Sequence, residues 1–117
     1  MNTIGEIIDV EKLTTREMYL SDMIDLFKHY RMWTMSWGMS GLTVDDVKHV
    51  KMIRFKVRGH HHKGYVYIFL NGLDLFDVVL TNYKNKIVKR TEEMGIYVDQ
   101  LMEWIDENVE RISEYTV

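Results

Sequence analysis

At 117 residues the chain has room for one hydrophobic core of ordinary domain size and not for two. Hydrophobic residues at 46% against 28% charged exclude a disordered polymer, and a formal charge of −3 excludes a uniformly basic nucleic-acid binder. With no cysteine, disulfide frameworks, thiolate metal sites and cysteine nucleophiles are excluded too, which fits a reducing compartment.

A single domain over residues 1–117 is therefore expected, with 1–13 frayed. The opening MNTIGEIIDVEKL lacks the basic start and apolar run of a signal peptide. No window reaches the ~18 apolar residues of a membrane span, so a cytoplasmic protein without membrane contact is expected.

Leu20, Met23, Ile24 and Phe27 recur at helical spacing, and Thr14 with Glu17 has the S/T-x-x-E form of a capping box; together they predict a helix over about 15–31. Trp33, Met35 and Trp37 then alternate with smaller or polar residues, a period that predicts a strand. The stretch DDVKHV reads equally as a turn or a single helical turn. Ile53, Phe55 and Val57 alternate with Arg54, Lys56 and Arg58, the two-residue period of a half-buried strand. GYVYIFLNG is a continuous apolar strand, LDLFDVVLTNY a third strand with Phe76, Val78 and Leu80 on one face, and KIVKR an extension of the sheet after the YKNK turn. Val98, Leu101, Ile105, Val109 and Ile112 then predict an amphipathic helix whose other side carries Asp99, Glu103, Asp106 and Glu110 in water. Helix, consecutive strands, helix: the order predicts an α+β fold, an antiparallel sheet of about four strands with an N-terminal and a C-terminal helix packed on one face.

Between the first two strands of this sheet lies VRGHHHKGYV, and the parity of that turn decides which side chains share a face. An even loop sets Val57 opposite Val66, Phe55 opposite Ile68 and Ile53 opposite Leu70, all toward the core. It then gathers Arg54, Lys56, Arg58, Tyr65, Tyr67 and Phe69 on the opposite face. An odd loop mixes apolar and basic side chains on both faces, so the even register is preferred. By the same reasoning the LNGLD turn takes three residues, with Gly72 left-handed and Asp77 on the open side within reach of Lys56 or Arg58.

The basic and aromatic residues of that face form the candidate binding surface. Rings beside cations are one way to hold single-stranded nucleic acid, although no K/R-G-F/Y motif is present and cross-strand packing uses the same residue types. Six lysines or arginines and no acid lie between Lys48 and Lys63, against an acidic last helix, a dipolar surface suited to a charged partner or to self-association. Three tryptophans, seven tyrosines and nine methionines exceed what so small a core needs, which favours protein binding, including homo-oligomers.

His60 and His62 point to one side of an extended segment and are the candidate metal ligands, but no further ligand stands at a recognised spacing. An exposed hairpin tip that titrates without consequence is the plainer reading of the triplet. Phosphate loops, G-x-S-x-G elbows and H-E-x-x-H helices are all missing from the sequence, and the acid pairs Asp45–Asp46 and Asp74–Asp77 suit turns and strand ends. No catalytic residue and no cofactor is therefore expected. An enzyme would need a site assembled from distant strands.

Gly59, His62, Lys63 and Gly64, then Asp74 to Val78, then Tyr97, Val98, Asp99, Leu101, Ile105 and Asp106, resemble small uncharacterised proteins encoded by bacteriophages and mobile elements of gut bacteria. The likeness covers the C-terminal two thirds. It implies a mobile-element setting in which small acidic domains bind host proteins, with His62 and Lys63 contributing to a surface, and it carries no activity.

Overall fold

The structure, a computed structural model, describes residues 18–44, 49–50, 52–70, 75–91 and 95–110. In chain order these form β1 (Met18–Tyr19), α1 (Leu20–His29), α2 (Arg31–Ser36), β2 (Ser40–Val44), β3 (His49–Val50), β4 (Met52–Arg58), β5 (Lys63–Leu70), β6 (Phe76–Thr81), β7 (Ile87–Arg90) and α3 (Val98–Val109). Five strands make one antiparallel sheet in the order β2-β4-β5-β6-β7, and β1 pairs with β3 in a separate ribbon. The fold is α+β, with one strand more than the alternation alone suggested. The Thr14–Glu17 box, the first 13 residues, Asp45, Asp46, Gly72, Asp74 and Ile112 lie outside the described residues.

One face of the sheet carries Ile53, Phe55, Val57, Val66, Ile68, Phe76, Val78 and Leu80, all buried. Met23 and Phe27 of α1 and Leu101, Met102, Ile105 and Val109 of α3 pack on it, so both long helices cover the same face. The even loop is what the structure contains: four residues, 59–62, separate the paired Arg58 and Lys63. Its pairs are displaced by two residues from the expected ones, because the strands run on to the histidines. Phe55 faces Val66 and Ile53 faces Ile68, while Val57 meets Gly64. A two-residue displacement leaves every side chain on its face. The β5–β6 parity also holds, but Leu70 pairs with Phe76, so five residues rather than three separate the strands.

Two expectations are corrected. Trp33, Met35 and Trp37 do not form a strand: Trp33 and Met35 lie on α2, and Trp37 follows its last turn. Gly38, at φ +65°, stops that helix, with its N–H donating to the Met35 carbonyl (3.1 Å) and that of Met39 to Thr34 (3.2 Å), a Schellman arrangement. Asp106 is not on a solvated stripe. It is 1% exposed, next to Ile105 on the packed side of α3, and accepts the indole N–H of Trp37 at 2.9 Å.

Candidate functional site

At one end of the sheet β4 and β5 meet in the histidine turn, and here the residue types of the sequence acquire a geometry. Arg58 and Lys63 are directly opposite across the strands, and Lys56, two residues along, shares their face. With Ser40 of β2 and Tyr83 of the β6–β7 turn they line an open groove of about 560 Å³. Among the described residues no carboxylate lines it. Like charges directly opposite across a strand pair repel, so this end of the hairpin holds cationic charge at a cost to its own stability.

The six residues expected to share one face divide into two groups. Arg54, Lys56, Arg58 and Tyr65 are exposed or half-buried, whereas Tyr67 and Phe69 are buried. The latter two rings stack at 6.3 Å in a second small core with Val79, against which Met52 and Ile87 pack. The Tyr67 hydroxyl donates to Asn85 Oδ1 at 2.6 Å. Asp77 lies in the strand opposite Phe69 and is buried, not on an open surface. Tyr65 has its ring occupied: the Arg54 guanidinium carbon sits 4.8 Å from the centroid, and Tyr83 meets it edge-on at 5.6 Å. Tyr83 was not foreseen from the sequence. An Asx turn brings it there, in which Asn82 Oδ1 accepts the N–H groups of Lys84 (2.9 Å) and Lys86 (3.0 Å), and its hydroxyl donates to the Val57 carbonyl at 3.2 Å.

The histidine turn is not a free tip. The N–H groups of His61 (2.7 Å) and His62 (3.3 Å) donate to the Val109 carbonyl, and that of His60 donates to Glu110 Oε2 (2.6 Å). The turn thus caps the C-terminus of α3, whose last carbonyls have no partner within the helix. His62 folds inward and is 7% exposed, its Nε2 lying 3.4 Å from the Tyr65 carbonyl. His60 is exposed and meets His61 edge-on, so the two candidate metal ligands point to different surroundings. Among the described residues no three His, Asp or Glu side chains converge as a metal site.

Burial holds the His62 imidazole below the usual histidine range, outweighing hydrogen bonds to the Tyr65 and Thr81 backbones that act the other way. With the folded pKa depressed, the unfolded chain binds more protons between that value and about 6.5. The contribution of neutral His62 to stability is therefore fully present above pH ~6.5 and is lost as pH falls through the window. Urea unfolding at pH 7.5 and 5.5 should show a smaller pH difference for His62→Gln than for the parent, and equal differences would refute this.

No helix among the described residues is long and apolar enough to cross a membrane. No protein-family model matches the chain, no curated protein matches its sequence, and no solved structure matches its fold.

Proposed function

We propose that this chain is a non-enzymatic binding module, of the mobile-element kind its sequence resembles, whose working surface is the groove of Lys56, Arg58 and Lys63. Its partner is a protein presenting an acidic segment. One observation carries the reading: three cations line an open groove with no carboxylate among its described lining residues. An anionic partner relieves their mutual repulsion, and complementary charge speeds encounter.

Single-stranded nucleic acid is the weaker reading. It needs ring faces on which bases stack. Tyr67 and Phe69 are buried, and the ring of Tyr65 is taken by Arg54 and Tyr83.

A polarisation titration with a fluorescein-labelled glutamate-rich peptide and a labelled oligo(dT) tests both. The peptide is expected to bind at low salt, more weakly at moderate salt, and roughly tenfold more weakly to Lys56→Glu/Lys63→Glu. Tighter salt-dependent binding of oligo(dT) would reverse the preference, and no peptide binding at low salt would end the proposal.

A further inference from the structure

We infer that the groove is a phosphate-monoester site, which takes a phosphorylated serine or threonine side chain of a protein segment. This rests on the reading of the groove as the working surface and names the chemistry it prefers. Three cations are more than one carboxylate neutralises. Arg58 and Lys63 are fixed opposite each other by the last pair of the β4–β5 ladder, with Lys56 beside them. A phosphate dianion carries up to two charges and three acceptor oxygens, and meets a guanidinium as a fork and an ammonium as a point charge. Ser40 adds a hydroxyl donor on the β2 side.

The surroundings select what carries the phosphate. An open groove of about 560 Å³ is far larger than one ion, so the group arrives on something bulkier. Among the described residues the lining is Ser40, Lys56, Arg58, Lys63 and Tyr83, with no aliphatic residue to enter a lipid surface. A nucleic-acid backbone offers monoanionic diesters and bases that need free rings, and the ring of Tyr65 is occupied. A peptide side chain ending in a dianion needs neither an acyl anchor nor a stacking platform.

The test uses the full chain and three labelled peptides that differ at one central position: phosphoserine, glutamate or serine among acidic neighbours. Phosphoserine is expected to bind at least roughly tenfold more tightly than glutamate. Arg58→Gln/Lys63→Gln, exposed substitutions whose folding is checked by thermal melting, should bring the two peptides within about twofold of each other. Equal affinity of both peptides for the parent protein would overturn the phosphate site while leaving the acidic-segment reading in place. Absence of binding by all three would overturn both. Tighter binding to vesicles of phosphatidylcholine with a phosphoinositide than to the phosphopeptide would overturn the peptide as carrier.

Discussion

Gly64→Ala is expected to destabilise the domain by about 3 kcal/mol or more, because the added carbon enters a packed site and its neighbours are backbone. A Cβ there would collide with the Thr81 carbonyl oxygen and stand 3.0 Å from Asn82 Cα and 3.1 Å from His62 Nε2. Neither carbonyl nor Cα can move without disturbing the edge where β6 turns toward Tyr83. The glycine's role is thus room for close approach rather than left-handed freedom, and the room is what His62 uses. Its imidazole lies against the place a side chain at position 64 would fill. Gly59 does the same for the helix, since a Cβ there would collide with the Val109 carbonyl. For a domain of this length the expected fall in melting temperature is on the order of 10 °C. Gly38→Ala is the control: its Cβ would come no closer than 3.4 Å to Arg58 Cβ, leaving chiefly the left-handed strain of about 1–2 kcal/mol. A Gly64→Ala melt no lower than that of Gly38→Ala would show that the turn yields without difficulty.

Those two glycines mark the boundary of what the sequence makes legible. The alternation of Ile53, Phe55 and Val57 fixes a face without any knowledge of what covers it, and the polarity on either side of the histidines selects an even loop. Both are local properties of period two, and they survive a two-residue displacement of the pairs. The stripe of Leu101, Ile105 and Val109 is equally local. By contrast, the burial of His62 depends on space left by Gly64 and on carbonyls of β5 and β6, which no spacing in the triplet encodes. Asp106 shows the same limit. Its charge assigns it to water in any amphipathic reading, yet it stands between Met102 and Val109 at helical spacing, and an indole far away in sequence helps to compensate its burial.

The α2 segment is hard to read for a different reason. Trp33, Met35 and Trp37 satisfy a two-residue period over too short a run to separate strand from helix, and Gly38 was the deciding signal, as a helix stop. At the candidate site, Lys56 and Arg58 follow from the strand period. Lys63 and Tyr83 do not, since their places depend on where the β4–β5 ladder ends and how the Asn82 turn folds. Tyr67 and Phe69 share a face with the cations, as parity requires, but the second small core closes over them.

Trp37 is the residue through which the fold acts on the groove, and Trp37→Phe is expected to cost about 2–3 kcal/mol although a ring of similar shape remains. The indole is 0% exposed, lies parallel to Phe55 at 6.4 Å, and donates its only N–H to Asp106. A hydrogen bond to a charged group contributes about 1.5–3 kcal/mol, and its removal takes a donor from a carboxylate held away from water. If that contact dominates, a double-mutant cycle of Trp37→Phe with Asp106→Leu should return a coupling energy of about 1–3 kcal/mol. Independent, additive losses would instead assign the effect to ring volume alone. The backbone of Trp37 matters as well, because its carbonyl accepts the N–H of Arg58 at 2.7 Å and so fixes the end of β4 that presents the guanidinium to the groove. Trp37→Phe keeps that carbonyl but removes the indole anchor on Asp106 that holds it in place, and should weaken binding of the phosphoserine peptide even at temperatures where the variant is fully folded. Unchanged affinity in a destabilised Trp37→Phe would show that the β4–β5 ladder alone positions Arg58.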